Sequence, residues 1–401
     1  LLPSYYLGTL GGTLVLWQTI VLGFDPLIVG LLCGSVNLFV CFFLLKSYYP
    51  KSYYRHLAVL PIAFGLLAAS LAFSDELTYL QIKNYYYNKH EFSYSTESGL
   101  KPSPPSHPHE LRKLMDKSPD VIRHKSAYQN IDIVPSYTKM RQRRDGTFSL
   151  YLNGRFQMHS KSQKEYHEGL GLVPLSYQES DPREVLVLGA GDGLLVKQLL
   201  RVSEIEKIVV VELDCELVQL ATESGPLSKL NARAFSHPKV SVHCGDAYQY
   251  LQAHQKVYPI IYVDFPYPYS FDSARLYSFE MFRRIAARLS AEGIMALNSP
   301  VDFFSSDNPR SKPLKDPLTS TLAYAGFSSA LSYNTKGHHF VVASREELKL
   351  RRTHIDVVDG DALVVSDLYR EGPKSIELKT VRRHLNTVLR PTFVAMKEAF
   401  F

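Results

Sequence analysis

Cysteine is scarce in this chain, and the positions of the few cysteines argue against a metal site and against a disulfide framework. Only four cysteines occur among 401 residues. Cys33 and Cys41 lie in apolar runs, whereas Cys215 and Cys244 lie beside predicted strands. These spacings match neither a metal-binding motif nor the dense cysteine pattern of small secreted domains. We therefore predict no metal site and no disulfide framework.

Charged residues are absent from three long stretches near the N terminus. Residues 1–24, 26–45 and 57–74 contain no Asp, Glu, Lys or Arg. Each stretch is about as long as a helix that crosses the hydrocarbon core of a bilayer. We predict about three transmembrane helices, in a domain spanning 1–75, and hence a multi-pass membrane protein with lipid as a partner. Because the sequence begins at Leu1 rather than at methionine, the true number of helices is left open.

A strong excess of one charge is also missing. The net charge is only +6, and the basic residues are scattered apart from Arg141, Arg143 and Arg144. Such a small cluster is more typical of a solvated hairpin than of a nucleic-acid surface. We predict no nucleic-acid partner.

The pattern beyond residue 75 predicts four further segments. An exit helix and a proline-rich linker are expected over 76–124. Short alternating strands around an Asn-Gly turn predict a small β-hairpin subdomain over 125–181. Alternating strands and helices over 182–345 predict an α/β domain with a doubly wound, Rossmann-like parallel sheet. The role of the charged extension 346–401 cannot be read from its pattern.

A glycine-rich loop in the sheet domain predicts a nucleotide site. LGAGDG, with Gly189 and Gly191, joins a predicted strand to a helix and lets the backbone approach a ligand closely. Glu212 ends the second strand, where an acid accepts hydrogen bonds from ribose hydroxyls. Asp246 follows the third strand, where a carboxylate can face an adenine amino group. Each acid could instead be a helix cap or a solvated loop residue.

Asp192 inside the glycine loop narrows the choice of ligand. A negative charge there would repel a dinucleotide pyrophosphate and also the carboxylate of intact S-adenosylmethionine. It would attract a cationic tail that has no carboxylate. The residue therefore favours decarboxylated S-adenosylmethionine as the co-substrate.

Over about 126–344 the chain resembles the polyamine aminopropyltransferases, the spermidine synthase family, and looks most like their membrane-anchored bacterial branch. The matching motifs occur in the family's order and are Tyr128-Gln129, LNGRFQ ending at Gln157, Tyr166-His167-Glu168, GAGDG, Glu212-Leu213-Asp214, Gly245-Asp246-Ala247, Val263-Asp264 and LYSFEMFR.

The resemblance implies roles for these positions. Asp264 is the expected general base, and Tyr166 and His167 are expected to position the acceptor amine. The expected co-substrate-binding residues are Gln129, Gln157, Gly189, Gly191, Asp192, Glu212, Asp246 and Ala247. The residues expected near the acceptor are Tyr128, Tyr267 and Tyr333. We also expect a homodimer, and a catalytic domain in the cytoplasm because decarboxylated S-adenosylmethionine is made inside cells.

The sequence departs from the family pattern three residues after the base. The family usually has a second acid there, whereas this chain has Tyr267. Losing an acid weakens attraction for the far ammonium of a diamine, so putrescine is expected to be a weak acceptor. The expected acceptor class stays an amine, putrescine or another polyamine. Two other interpretations stay open: a methyltransferase that uses intact S-adenosylmethionine, and a non-catalytic sensor of polyamines or nucleosides.

Overall fold

The computed structural model describes residues 33–34, 65, 68–69, 72–90, 119–136, 146–179, 181–223, 225–268, 270–305, 312–358, 360 and 362–394. The predicted helices at about 5–24, 26–46 and 56–75 lie almost entirely outside these residues. Among the residues that are described, no helix is both long enough and apolar enough to span a bilayer.

The chain divides into two compact units. The first comprises 1–122 and 134–146, and the second comprises 123–133 and 147–401. In the first unit, helix α1 (Ser74–Asn84) continues into a π-helical turn, Tyr85–His90. Lys83 Nζ lies 3.3 Å from Asp120 Oδ1, and the Tyr87 hydroxyl donates to the Pro135 carbonyl at 3.1 Å. These contacts tie the end of α1 to the chain segments around 120 and 135.

Two main sheets are formed by residues of the second unit, except that Ile122, Val134 and Pro135 at the ends of two strands are counted in the first. The strands are β1 (Ile122–Lys125), β2 (Asn130–Pro135), β3 (Phe148–Leu152), β4 (Arg155–His159), β5 (Glu184–Gly189), β6 (Lys207–Glu212), β7 (Val240–Cys244), β8 (Tyr258–Asp264), β9 (Leu289–Asn298), β10 (Ser329–Thr335), β11 (His338–Ser344), β12 (His354–Ile355), β13 (Leu363–Val364) and β14 (Glu371–Ser375). The four-stranded sheet has the order β1-β2-β3-β4, and the eight-stranded sheet has the order β14-β10-β11-β9-β8-β5-β6-β7.

Helices cover the eight-stranded sheet because its central strands are apolar on both faces. In β5, Val185 and Val187 belong to one buried cluster, and Leu186 and Leu188 belong to another. Strands buried on both faces read as continuous apolar runs, as the EVLVLG segment does. The helices are α2 (Gln163–Leu172), α3 (Leu194–Leu199), α4 (Cys215–Thr222), α5 (Pro226–Leu230), α6 (Ala247–Ala253), α7 (Phe271–Ala274), α8 (Phe279–Ala287) and α9 (Lys312–Tyr324).

The predicted parallel sheet is confirmed for its central strands, but the sheet as a whole is mixed. Strands β5 to β9 pair in parallel, but β11 runs antiparallel to β9, and β10 and β14 continue the antiparallel edge. Lys336 and Gly337 both have positive φ, 44° and 94°, and join β10 to β11 in a tight turn. A turn this short can connect only antiparallel strands.

The C-terminal extension, whose role the sequence leaves open, completes the fold of the second unit. Its strand β14 adds to the edge of the large sheet. Asn386 is fully buried, and its side-chain amide donates to the carbonyls of Ala274 and Tyr277 at 3.0 Å each. The extension therefore fixes the segment between β8 and α8.

A disulfide joins Cys215 to Cys244, and the prediction of no disulfide framework missed it. Their Cα atoms lie 5.6 Å apart, and 29 residues separate them in sequence. The two cysteines come together because β6 and β7 are neighbouring parallel strands whose carboxyl ends share one edge. Sequence spacing alone does not encode such a pairing, since it depends on strand order.

Candidate functional site

The acids singled out from the sequence gather at one edge of the large sheet. Glu212 ends β6, Asp264 ends β8, Asp246 follows β7, and the loop containing Asp192 follows β5. These four strands are parallel, so their carboxyl ends meet at the same edge. In open α/β sheets that edge is where ligands bind.

Glycine is required twice in the loop after β5. Gly189 has a φ of +87°, and a Cβ at this position would collide with the carbonyl oxygen of Asp264. A Cβ on Gly191 would lie 3.0 Å from the side chain of Glu212. The two glycines therefore allow the chain at the end of β5 to pack directly against Asp264 and Glu212.

Three carboxylates in this cluster repel one another. Burial raises the pKa of Asp264 to about 7, and the negative charges of Asp192 and Glu212 add to the shift. Burial also raises the pKa of Glu212 to about 7, with smaller contributions from the charges of Asp214 and Asp192. Binding of a cation at this site would therefore be favourable, because its positive charge would reduce the repulsion among the carboxylates.

Helix α2 places two of the predicted catalytic residues against this cluster. The Tyr166 hydroxyl donates a hydrogen bond to Asp264 Oδ1. Burial and the charge of Asp264 raise the pKa of Tyr166 well above its usual value, so the phenol stays protonated. The His167 Nε2 atom lies 3.9 Å from Asp192 Oδ2, and burial lowers the pKa of His167, which favours the neutral ring.

Asp214 organises part of the site, and the sequence reasoning gave it no separate role. It is buried, and its Oδ2 accepts hydrogen bonds from Gln129 Nε2 at 2.7 Å and Ser126 Oγ at 2.8 Å. Its backbone N–H donates to Glu212 Oε1 at 2.9 Å. Asp214 thus links Gln129 to Glu212. Its place in the Glu212-Leu213-Asp214 motif could have indicated from the sequence that it belongs to the site.

Other predicted residues are placed less centrally. Gln157 is exposed, and its amide donates to the Arg155 carbonyl at 3.2 Å. Tyr128 is 57% exposed. Asp246 caps α6, accepting from the Tyr248 N–H at 2.7 Å, and its other oxygen lies 3.2 Å from an Arg275 nitrogen. Ala247, the first residue of α6, is buried.

Two of the three predicted acceptor residues, Tyr267 and Tyr333, differ in how deeply they are buried. Tyr267 is half-buried and lies close enough to Tyr166 to influence its charge. Tyr333 is fully buried, and its hydroxyl donates to the Gly169 carbonyl at 3.0 Å. The hydroxyl of Tyr333 is thus bonded within the core, and the expected contact of Tyr333 with the acceptor stays a prediction.

Two neighbouring histidines extend the site beyond Tyr166 and were missed. The His338 ring packs edge-on against Tyr166, with ring centroids 5.2 Å apart. His339 Nδ1 lies 3.5 Å from Asp302 Oδ1. The two adjacent histidines after Gly337 can be seen in the sequence. Their approach to Tyr166 cannot, because it depends on the antiparallel pairing of β11 with β9. Among the described residues no cluster of His, Cys, Asp or Glu could hold a metal ion.

Comparison with known proteins finds a family match in the core of this unit. Residues 163–308 match the spermine/spermidine synthase domain. That match includes the α2 motif, the glycine loop, and Glu212, Asp246 and Asp264. The predicted family resemblance is confirmed, whereas its membrane-anchored branch stays a prediction.

Curated relatives of this domain are polyamine aminopropyltransferases. The chain is 34% identical over 195 residues to polyamine aminopropyltransferase 2 of Ralstonia nicotianae, covering 49% of this chain and 36% of that protein. It is 33% identical over 184 residues to polyamine aminopropyltransferase 2 of Bacillus cereus, covering 45% of this chain and 48% of that protein. The matched regions thus span half or less of these relatives.

Solved structures with a similar course of the chain include two spermidine synthases. One is a complex with the transition-state analogue AdoDATO, with a TM-score of 0.48 and 20% identity, covering 56% of this chain and 74% of that chain. The other, from Thermotoga maritima, has a TM-score of 0.46 and 21% identity, covering 56% of this chain and 73% of that chain.

The raised pKa of Asp264 predicts a pH-dependent stability. Asp264 has its pKa raised to about 7 from an ordinary value of 3.8, so the folded protein holds a proton that the unfolded chain releases between these values. The free energy of unfolding should therefore fall as pH rises through this window, by up to about 1 kcal/mol per pH unit. Asp264→Asn should remove this part of the dependence.

Urea unfolding followed by circular dichroism at pH 5 and pH 8 would test the prediction. The exposed Asp356 offers a matched control, since Asp356→Asn removes a carboxylate that lies outside the cluster. Wild type should lose more stability than Asp264→Asn on going to pH 8, and Asp356→Asn should behave as wild type. Equal losses in all three proteins would contradict the assignment of a strained carboxylate.

Proposed function

We propose that this protein is an aminopropyltransferase, which moves the aminopropyl group of decarboxylated S-adenosylmethionine to an amine acceptor. The observation that carries the proposal is the cluster of Asp192, Glu212 and Asp264, with the Tyr166 hydroxyl bonded to Asp264. The similarity to curated polyamine aminopropyltransferases supports it.

The co-substrate would lie along the carboxyl edge of the sheet. Glu212 would accept hydrogen bonds from the ribose hydroxyls, and Asp246 and Ala247 would lie at the adenine. Asp192 would face the cationic aminopropyl end. Its charge already interacts with those of Glu212 and Asp264, so a cation placed among them would gain attraction from all three.

Asp264 would act as the general base. An ammonium has no lone pair, so the acceptor must lose a proton before it can attack. The carboxylate takes that proton, and the amine nitrogen forms a bond to the carbon attached to the sulfonium. The carbon–sulfur bond breaks, and its electron pair stays on sulfur to give a neutral thioether. With a pKa near 7, Asp264 is matched to proton transfer at neutral pH.

Tyr166 would hold the base in place during this step. Its phenol donates to one carboxylate oxygen, which leaves the other oxygen to face the acceptor. Because its pKa is raised well above the usual value, Tyr166 remains a donor and does not compete for the proton. Most of the remaining barrier is then lowered by proximity and alignment, since the sulfonium is already an activated leaving group.

Removing the base tests the proposed activity. Asp264→Asn should reduce the turnover of decarboxylated S-adenosylmethionine with an amine by about 10²–10⁴-fold, the usual contribution of a general base. Binding of the thioether product should persist, because the nucleoside contacts are unchanged. Purified full-length protein would be assayed for thioether release over a panel of amines. Undiminished turnover in Asp264→Asn, or no turnover by wild type with any amine, would reject the proposal.

Tyr267 is proposed to set which amine is accepted. Its half-buried ring lies near Tyr166, where a carboxylate would give the far ammonium of a diamine a partner. A ring face and a neutral hydroxyl attract that cation less, by about 1–2 kcal/mol or roughly tenfold in affinity. We therefore predict weak use of putrescine by wild type and a gain in Tyr267→Asp, measured as kcat/KM.

Tyr267→Phe is the matched control for this substitution. It keeps the ring but adds no charge, so it should not improve putrescine use. Efficient putrescine turnover by wild type, with no gain in Tyr267→Asp, would show that this position does not select the acceptor.

Membrane attachment through the apolar N-terminal stretches, with the enzyme domain in the cytoplasm, is part of the proposal. Phe73, which directly precedes α1, is 59% exposed, and Leu77 and Leu80 within α1 are 38% and 46% exposed. Fractionation of cells that express the full chain should leave it in the membrane pellet after washing at alkaline pH. Quantitative release by that wash would contradict the anchoring.

A further inference from the structure

The disulfide between Cys215 and Cys244 bridges two loops that belong to the candidate nucleoside site. Cys215 is the first residue of α4, and Cys244 is the last residue of β7. Cys215 follows Glu212 by three residues, and Cys244 precedes Asp246 by two. The bond therefore joins the segment proposed to hold the ribose to the segment proposed to hold the adenine.

Backbone contacts couple the disulfide to Glu212. Glu212 is paired with Cys244 in the register of β6 and β7. The Gly245 N–H donates to the Glu212 carbonyl at 2.9 Å. The Asp214 side chain accepts from the N–H of Glu216 at 3.2 Å and so caps the helix that Cys215 begins. Breaking the bond between the two sulfurs would therefore affect the backbone segments that hold Glu212 and Asp214.

The disulfide is open to chemical attack. Cys244 is exposed and Cys215 is partly exposed. Thiol–disulfide exchange needs access of an incoming thiolate to one of the two sulfurs, and the exposure of the Cys244 residue favours such access.

We infer that Cys215 and Cys244 form a redox-modification site that controls the affinity for the nucleoside portion of the co-substrate. This inference rests on the proposed function only in assigning a nucleoside to that edge of the sheet. The oxidised form binds well because Glu212, Asp214 and Asp246 are held in fixed relative positions. Reduction loosens the two loops, and binding must then order them again.

A cellular dithiol is the class of reductant that balances the reaction. One of its thiolates attacks the Cys244 sulfur, forms a mixed disulfide, and releases the Cys215 thiolate. The second thiolate of the reductant then attacks the reductant's other sulfur, which is bonded to Cys244. The bond between that sulfur and Cys244 breaks, and the Cys244 thiolate leaves. The protein disulfide gains two electrons, both cysteine sulfurs take up protons, and the dithiol becomes a disulfide.

The experiment uses the 401-residue chain carrying Cys33→Ser and Cys41→Ser, which leaves Cys215 and Cys244 as the two cysteines of that chain. Dithiothreitol should raise its intact mass by two hydrogen atoms. Calorimetric titration with 5′-methylthioadenosine should show affinity weakened by about fivefold or more on reduction, the size of an ordinary coupling between sites. A variant that also carries Cys215→Ser and Cys244→Ser should bind like the reduced form and ignore dithiothreitol.

The outcomes separate this inference from the proposed function. Binding that is equal with and without dithiothreitol would overturn the redox site while leaving the nucleoside site intact. Absence of the mass change would overturn it directly. If neither redox form binds 5′-methylthioadenosine, the assignment of the nucleoside to this edge fails, and the redox control of its affinity fails with it.

Discussion

The mutual repulsion of three carboxylates at one edge of the large sheet is the interaction on which the functional account depends. Asp192, Glu212 and Asp264 are each placed by a different parallel strand or by the loop that follows one. Burial and repulsion raise the pKa values of Glu212 and Asp264 to about 7. An unliganded protein therefore bears a free-energy cost at this edge, and a cation bound there would remove it.

The rest of the second unit keeps these charges from moving apart. The central strands are buried on both faces, so the ends of β5, β6 and β8 cannot shift independently. The two tight glycine positions bring the loop after β5 against Asp264 and Glu212. The C-terminal extension fixes the segment after β8 through the buried amide of Asn386. Rigid placement of like charges is what turns a set of acids into a cation-binding site.

Much of this site could be predicted from the sequence because its residues lie in short local patterns. The glycine loop, the acid at the end of β6 and the acid at the end of β8 each follow an apolar strand by a fixed short distance. Parallel pairing of those strands then brings the acids together without further information.

The features that could not be predicted depend on which distant segments meet. Cys215 and Cys244 approach only because β6 and β7 are neighbours, and His338 reaches Tyr166 only because β11 runs antiparallel beside β9. The burial of Tyr333 could not be predicted either, because strand residues alternate between faces and the sequence alone does not say which face of β10 is covered.

A comparison of two ligands that differ in one carboxylate tests the central claim most directly. Calorimetric titration of the purified protein with decarboxylated and with intact S-adenosylmethionine measures the dissociation constant of each ligand. The ratio of the two constants gives the preference of the site for a ligand without the carboxylate. We predict tighter binding of the decarboxylated form. Asp192→Asn should lose that preference, because it removes the charge that is proposed to face the aminopropyl end. Equal or tighter binding of intact S-adenosylmethionine by wild type would contradict it and would favour methyl transfer instead.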